Sequence, residues 1–250
     1  MTWRCWGSGP PLLFIHGSHG SWSHWIRNID AFIATRTVCA MDLPAYGDSA
    51  MPPQEDHAAI VDVIAAGLRT IFGEERAIDT VGFSFGGLMA AYLSAFHPAS
   101  VRRLILAATG GLGTPLGSTY LRRVRGLEGD ERRAAVRENL LGLMLHHAES
   151  ADDLAVHIHD INTSRGRMRV GPLVLPDKLF EILPKVTVPV DAIWGECDRP
   201  HPDPGLQERA LRQRKPQLEF KVIRDAGHWV MYERAEEFNQ ALIELLAIRR

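Results

Sequence analysis

The chain contains the five residues GFSFG at positions 82–86, directly after the apolar run AIDTV at positions 77–81. This is the G-x-S-x-G pattern of a serine held at a sharp turn between a strand and a helix. A side chain at such a turn points away from both elements, and flanking glycines avoid collisions in the strained backbone. N–H groups at the start of the following helix point back towards Ser84 and can stabilise negative charge there. The stretch therefore predicts an exposed nucleophile at the end of a buried strand.

Length and composition are those of an ordinary globular chain. The 250 residues, 46% hydrophobic and 23% charged, fit one domain with an insertion. A net charge of −2 gives no electrostatic reason to expect nucleic-acid binding. No apolar stretch approaches the roughly 20 residues needed to cross a membrane, and the first nine residues lack the apolar region of a secretory signal. We therefore expect a cytoplasmic monomer or homodimer that binds a small-molecule substrate, with no nucleic-acid or membrane partner.

Cysteines and other potential ligands suggest no bound cofactor. The three cysteines, Cys5, Cys39 and Cys197, are few, odd in number and far apart, which argues against a disulfide framework or a zinc site. His157 and His159 have no third ligand at a suitable spacing, so we predict no metal. No G-x-G-x-x-G or phosphate-binding loop is present, so we predict no nucleotide cofactor.

Short apolar runs alternate with longer helical patterns along most of the chain. This alternation predicts an α/β fold, with a mostly parallel sheet flanked by helices. We expect strands at 12–15, 37–41, 78–81, 104–107, 190–194 and 220–223, and helices near 22–34, 56–72, 85–97, 205–214 and 233–248.

The alternation breaks in residues 112–184. Here Gly and Pro punctuate helical patterns that have no clear strands between them, and basic residues interleave with acidic ones. Roughly 70 residues are too many for an ordinary connection inside a compact domain. We predict an inserted helical lid over a core formed by residues 1–111 and 185–250.

Serine by itself is a poor nucleophile and needs a base, together with a third group that orients the base. The candidate base is His228, because it follows the last predicted strand at the end where open α/β sheets place their sites. The candidate acid is Asp198, which also follows a strand. Glu196 is its nearest competitor, but Asp198 lies further into the loop, where a side chain can reach the imidazole.

A tetrahedral intermediate also needs N–H donors for its oxyanion. The N–H of Phe85, directly after the serine, is one candidate. The run LLFIHGS at 12–18 supplies another, because a strand is followed by His-Gly and a small residue. We assign this second donor to Ser18, with His19 as the alternative, and expect His16 to be a structural residue of the turn.

The order Ser84, Asp198, His228 is similar to the serine-acid-histidine order of the α/β-hydrolase family. Three further segments resemble that family. The residues WGSGP at 6–10, before the His-Gly strand, resemble its entry hairpin. The residues DLPAYGDS at 42–49 resemble its D-x-P-G-x-G-x-S turn, and HPASV at 97–101 resembles its step from the nucleophile helix to the next strand. The resemblance covers nearly all of the chain. It implies an α/β-hydrolase fold in which residues 112–184 are the cap over the active site.

Within that family, the contexts of the three residues resemble carbon–carbon hydrolases that cleave ring-fission products of aromatic catabolism. Those enzymes often carry tryptophan after the catalytic histidine, as Trp229 does here, and place a cap arginine near the substrate's carboxylate. Arg165 is the first candidate for that arginine, with Arg167 and Arg169 as alternatives. Phe83 stands where those hydrolases frequently have asparagine, whereas simple carboxylesterases also have aromatic residues beside the serine.

The combined prediction is a cofactor-independent serine hydrolase that acts on a small carbonyl substrate, with a carboxylic ester as the first expectation. Hydrolysis of a carbon–carbon bond in a meta-cleavage product, a vinylogous diketo acid, is the alternative. A ligand receptor with low turnover is the second alternative. A halide-releasing enzyme is disfavoured because that chemistry uses aspartate at position 84 in this family. The residues predicted to contact substrate are His19, Phe83, Arg165 and Trp229.

Overall fold

A seven-stranded sheet is the centre of the computed structural model, which describes residues 1–74 and 76–248. Positions 75, 249 and 250 of the predicted core therefore lie outside the described residues. The strand order is β1-β3-β2-β4-β5-β6-β7, with β1 antiparallel to β3 and every other neighbouring pair parallel. The strands are β1 (Thr2–Trp6), β2 (Pro11–Ile15), β3 (Thr37–Asp42), β4 (Ile78–Phe83), β5 (Val101–Ala107), β6 (Val190–Gly195) and β7 (Phe220–Ile223).

Helices follow most of the strands. They are α1 (His57–Phe72), α2 (Phe85–Phe96), α3 (Gly129–Asn139), α4 (Asp153–Arg165), α5 (Gly171–Val174), α6 (Lys178–Ile182), α7 (Pro204–Arg214), α8 (Val230–Glu233) and α9 (Ala235–Ala247). Within the two described ranges, none of these helices is both long enough and apolar enough to span a bilayer.

Burial of the central strands explains why short apolar runs form them. Every residue of β2, β4 and β6 is buried. Because successive side chains of a strand point to opposite faces, complete burial means that both faces of the sheet are covered. All six predicted strands are present, which confirms the prediction of a mostly parallel sheet flanked by helices.

The edge strand β1 was not predicted. Its sequence TWRCW is mostly half-buried and gives no continuous apolar run. Ion pairs help to hold the strand in place, since the Arg4 guanidinium contacts the carboxylates of Asp42 at 3.2 Å and Asp48 at 2.9 Å. These contacts cross from β1 to a distant part of the chain, so local periodicity does not reveal them.

The helix predicted at 22–34 is wrong. The chain forms two short 3₁₀ turns there, Trp22–Trp25 and Ile29–Ala31. Asn28, between them, donates its side-chain amide to the Met231 carbonyl at 2.9 Å and to Asn239 Oδ1 at 2.8 Å. These tertiary hydrogen bonds override the local helical pattern.

Cys5 and Cys39 form a disulfide, although the number and spacing of the cysteines argued against a disulfide framework. The two residues are direct partners in the antiparallel register of β1 and β3. This pairing brings together residues 34 positions apart, at a Cα separation of 4.2 Å. Because β1 was not among the predicted strands, the sequence did not show which strand Cys5 would pair with. Cys197 is a free thiol.

Residues 112–184 form a helical segment between β5 and β6 that contains α3 to α6 and no strand. Ion pairs join its helices, with Arg132 contacting Asp160 at 2.5 Å and Arg133 contacting Asp153 at 2.8 Å. The backbone at Leu140–Met144 winds as a π-helical turn, and the Met144 carbonyl accepts the Trp229 N–H at 2.7 Å. The segment is thus fastened to the loop that follows β7.

We predict that the Cys5–Cys39 disulfide stabilises the folded chain by roughly 3–4 kcal/mol, because it restricts the unfolded chain over a loop of this length. Thermal melting with and without dithiothreitol measures this. Reduction should lower the Tm of the wild type but leave the Tm of Cys5→Ser unchanged. Cys197→Ser is the control and should respond to reductant like the wild type. Equal melting temperatures of the oxidised and reduced wild type would contradict the prediction.

Candidate active site

Ser84 occupies a strained turn between β4 and α2. Its backbone has φ 51° and ψ −119°, a conformation that costs a residue other than glycine about 1–3 kcal/mol. The flanking glycines make the turn possible. A Cβ on Gly86 would collide with the carbonyl oxygen of His16, and one on Gly82 would collide with the carbonyl oxygen of Gly86. The local sequence thus forms the sharp turn that its pattern predicts.

Three predicted side chains meet at one edge of the sheet. Ser84 Oγ lies 3.1 Å from His228 Nε2, and His228 Nδ1 lies 3.0 Å from Asp198 Oδ2. They follow β4, β6 and β7, whose parallel arrangement brings their carboxyl ends to the same edge. Glu196, the competing acid, instead accepts the Asp225 N–H at 3.2 Å. The geometry therefore favours Asp198 over Glu196 as the partner of the imidazole.

The Asp198 carboxylate remains ionised although it is fully buried. Burial opposes the charged form, but attraction to His228 and hydrogen bonds from His201 and His228 outweigh it and lower the pKa of Asp198 to about 2. An ionised carboxylate facing Nδ1 keeps a proton on that nitrogen. His228 Nε2 is then free to accept the hydroxyl proton of Ser84.

The two predicted oxyanion donors lie beside the serine. Ser18 and Phe85 line the same cavity as Ser84, and within the described residues their backbone N–H groups make no hydrogen bond. The turn that carries Ser18 lies close to Ser84, since a Cβ on Gly17 would lie 3.1 Å from Ser84 Cβ. His19, the alternative donor, also lines this cavity.

His16 has the contacts of a structural residue. Its Nε2 accepts the Leu43 N–H at 2.8 Å, and its Nδ1 contacts the Gly17 carbonyl oxygen at 2.7 Å. Burial lowers the pKa of His16 to about 4, against the opposing effects of the Gly17 hydrogen bond and the Asp42 charge. A neutral imidazole with both nitrogens engaged joins the loops after β2 and β3 and is unavailable as a base.

A cavity of about 560 Å³ lies between the sheet edge and the helical segment, and Ser84 and His228 are part of its wall. Such a cavity, mostly apolar with a few polar groups, is the usual form of a small-molecule site. Of the predicted substrate contacts, His19 and Phe83 line it. The helical segment contributes mainly apolar side chains, among them Leu116, Leu121, Val136, Leu143, Met144 and Val174.

Arg165 is not at the cavity, which differs from its predicted position. It lies at the exposed end of α4 and pairs with Asp48 at 2.8 Å. Its first alternative, Arg167, donates to the backbone carbonyl of Ser49. Both guanidiniums therefore hold the helical segment to the loop after β3. The sequence did not show which arginine of this segment lies near the cavity, because no tight motif surrounds any of them.

Trp229 also lies away from the cavity, in the core. It is fully buried, and its Nε1 donates to the His24 carbonyl at 2.9 Å. Its ring stacks on that of Tyr232, with the ring centres 4.1 Å apart. The residue after His228 thus points inward when the histidine points to the cavity. Its position next to the histidine does not imply contact with a substrate.

Sequence reasoning missed three histidines that line the cavity: His24, His159 and His201. Burial lowers the pKa of His159 to about 4, with a further contribution from His19, and burial likewise holds the pKa of His24 well below its usual value. His201 contacts Asp198 and was detectable in principle from its position three residues after the predicted acid. The other two are far from the triad in sequence and give no such signal.

Three arginines of the cavity wall, Arg122, Arg123 and Arg125, were also missed. Arg123 and Arg125 lie in the stretch between β5 and α3, and both are exposed. Their neighbour Arg122 pairs with Glu131 at 3.0 Å, but no acidic side chain of the described residues pairs with Arg123 or Arg125. The interleaved charges of this stretch do not show which of its arginines line a cavity.

Two clusters of the described residues could in principle ligate a metal: His146 with His147 and Asp225, and Asp198 with His201 and His228. In the first, the Arg234 guanidinium lies 3.0 Å from His147 Nε2, and its positive charge opposes a bound cation. In the second, a cation would displace the proton that joins His228 to Asp198. Neither donor set fits a metal well.

Comparison with known proteins gives the class of this chain. Residues 12–241 match the alpha/beta hydrolase family, and the chain belongs to it. The predictions of this fold and of a hydrolase are thereby confirmed.

Two of the curated relatives are hydrolases by name. A 2-hydroxy-6-oxononadienedioate/2-hydroxy-6-oxononatrienedioate hydrolase of a Pseudomonas species is 28% identical over 262 residues, 96% of this chain and 86% of that protein. A 2-hydroxy-6-oxo-6-phenylhexa-2,4-dienoate hydrolase of Comamonas testosteroni is 26% identical over 264 residues, 97% of this chain and 90% of that protein.

Solved structures with the same fold include an esterase from Thermogutta terrifontis, with a TM-score of 0.74 at 22% identity, covering 98% of this chain and 92% of that one. The meta-cleavage product hydrolase from Pseudomonas fluorescens IP01 has a TM-score of 0.76 at 20% identity, covering 98% of this chain and 93% of that one. At such identities the likeness shows the fold alone.

Burial of His159 makes stability depend on pH. Its pKa is about 4 in the folded chain, below the ordinary value of 6.5, so only the unfolded chain takes up a proton between these values. We predict that the wild type loses roughly 3 kcal/mol of unfolding free energy relative to His159→Asn as the pH falls from 7 to 4. Urea unfolding at several pH values measures this difference. Parallel pH profiles for the two proteins would contradict it.

Proposed function

We propose that the protein is a serine hydrolase that cleaves a small carboxylic ester with Ser84, His228 and Asp198 as its catalytic residues. The observation that carries the proposal is the unbroken sequence of contacts from Ser84 Oγ to His228 Nε2 at 3.1 Å and from His228 Nδ1 to Asp198 Oδ2 at 3.0 Å. A hydroxyl in such an arrangement can lose its proton as it attacks a carbonyl carbon.

In the proposed reaction, His228 Nε2 takes the Ser84 proton while Oγ bonds to the ester carbon. The tetrahedral oxyanion accepts hydrogen bonds from the N–H groups of Ser18 and Phe85, each worth about 3 kcal/mol in the transition state. His228 then gives its proton to the leaving alkoxide, and an acyl-enzyme forms. Water, deprotonated by the same imidazole, attacks the acyl carbon. The bond between this carbon and Ser84 Oγ then breaks, His228 returns the proton to Oγ, and the acid leaves. Asp198 orients the ring and stabilises its charged form.

We further propose that the helical segment, residues 112–184, is the cap of this enzyme. Its apolar side chains cover the cavity in which Ser84 lies, and such a cover excludes water from a developing charge. The Met144 carbonyl also binds the backbone N–H of Trp229, directly after the proposed base. The apolar wall is suited to the hydrocarbon part of an ester.

We predict that Ser84→Ala lowers kcat/KM for p-nitrophenyl butyrate by on the order of 10⁴-fold or more, because the attacking oxygen is lost. Release of p-nitrophenol measures the rate, and a fluorophosphonate probe should label the wild type but not the variant. Ser18→Ala is the control, since it keeps the backbone N–H and should retain both activities. Tight ligand binding with no Ser84-dependent turnover would contradict the proposal and favour a receptor.

Cleavage of a carbon–carbon bond is the second candidate function. The names of the curated relatives favour it, and so do Arg123 and Arg125, which line the cavity. The side chain of Asn139 accepts the Arg122 N–H at 2.6 Å and donates to the Arg122 carbonyl at 2.8 Å. These two hydrogen bonds hold this stretch in place. An anionic diketo acid would find in these two arginines the partners that Arg165 was expected to supply.

If this candidate is right, Arg123→Ala and Arg125→Ala should lower the kcat/KM ratio of 2-hydroxy-6-oxo-6-phenylhexa-2,4-dienoate to p-nitrophenyl butyrate by roughly tenfold or more, as expected for a charge-assisted hydrogen bond of about 1.5–3 kcal/mol. Loss of the dienoate absorbance measures the first reaction. Arg165→Ala is the matched control, because that arginine pairs with Asp48 on the surface, and it should leave the ratio unchanged. An equal ratio in the wild type and the three variants would exclude recognition of the dienoate by Arg123 and Arg125.

A further inference from the structure

His201 is a second imidazole on the carboxylate of Asp198. Its backbone N–H donates to Asp198 Oδ1 at 3.1 Å, and its Nδ1 lies 3.4 Å from Asp198 Oδ2, the oxygen that also binds His228. The side chain is buried, and its ring centre lies 5.6 Å from that of His228. No step of the proposed ester hydrolysis uses this residue.

The contact with Asp198 determines which nitrogen of His201 carries the proton. A carboxylate oxygen only accepts hydrogen bonds, so the nitrogen facing it must be the donor. A neutral His201 is therefore protonated on Nδ1 and has a lone pair on Nε2. His228 faces the same carboxylate through its own Nδ1. Among the described residues, the remaining cavity histidines, His19, His24 and His159, contact no carboxylate, so their tautomers are not determined in this way.

His201 and Gly110 both line the cavity, and the Nε2 atom of His201 faces Gly110. A Cβ at position 110 would lie only 3.2 Å from Nε2 and 3.4 Å from Val174 Cγ1, so the glycine leaves open the space between them. In the described part of the chain, no donor binds this nitrogen. An acceptor within a mostly apolar cavity is thus available to a bound molecule.

We propose that His201 determines substrate specificity by accepting, at Nε2, a hydrogen bond from a hydroxyl group that the ester carries near its scissile bond. The substrates of this class are hydroxy esters, and the inference rests on the proposed ester hydrolysis. A hydroxyl is the matching group because it donates a hydrogen bond, whereas a carboxylate would meet the Nε2 lone pair with a second acceptor. A buried acceptor without a partner disfavours analogues that lack the donor.

Two pairs of esters test this proposal, because the hydroxyl can lie on either side of the scissile bond. One pair is phenyl 3-hydroxybutyrate and phenyl butyrate, and the other is 3-hydroxypropyl butyrate and propyl butyrate. The wild type should prefer the hydroxylated member of at least one pair by about tenfold in kcat/KM, the value of one buried hydrogen bond. In His201→Phe, which removes the acceptor, the ratio of that pair should fall to about 1.

His201→Asn separates specificity from a purely structural role. Its side-chain amide can take the place of Nδ1–H against Asp198 but offers no acceptor at the position of Nε2. The hydroxyl preference should therefore be lost in this variant too. If His201 merely holds Asp198, the variants change both members of a pair equally and the ratio stays at its wild-type value. His159→Asn removes another cavity imidazole and should retain the preference.

A wild-type ratio near 1 in both pairs, or an unchanged ratio in His201→Phe, would overturn the proposal. Neither result would contradict the proposed ester hydrolysis, which depends only on Ser84-dependent turnover of the esters without a hydroxyl. Melting temperatures of the variants identify any loss of folding. The ratio is taken within one protein, so the amount of folded protein cancels from it.

Discussion

The buried carboxylate of Asp198 organises the polar side of the cavity. One oxygen binds the ring nitrogens of His228 and His201, and the other binds the backbone of His201. A charge at such depth is tolerated only because donors surround it, and these donors are the groups that the carboxylate then orients. The proton positions of two imidazoles follow from this single ion. One faces the proposed nucleophile, and the other faces the space beside Gly110.

A second buried carboxylate holds the surrounding loops together. Glu233 accepts the N–H of Gly227 at 2.6 Å, of His146 at 2.9 Å and of His147 at 2.8 Å. The first belongs to the loop that carries His228, and the other two belong to the helical segment. The position of the proposed base is thereby coupled to the cover of the cavity. Catalytic geometry and cavity shape thus share one set of backbone hydrogen bonds.

Most of the fold was predictable because its signals are local. The central strands are apolar at every position, and the glycines of the turn at Ser84 are required by neighbouring backbone atoms. Where the prediction failed, a distant contact decided the outcome. Asn28 interrupts the expected helix by binding Met231, and the edge strand β1 depends on Arg4 and on Cys39. The cytoplasmic location and the oligomeric state stay predictions.

The amino-acid pattern determined the elements, their order and the loops on which Ser84, Asp198 and His228 lie. Periodicity and glycine placement are properties of short stretches, and a parallel sheet brings the ends of its strands together whatever lies between them. Only the tertiary structure decided which other side chains reach the cavity. Trp229 turns into the core, Arg165 turns to the surface, and His201 turns to the cavity. The direction of a loop side chain depends on the space left by elements far away in the sequence, and no local pattern encodes that space.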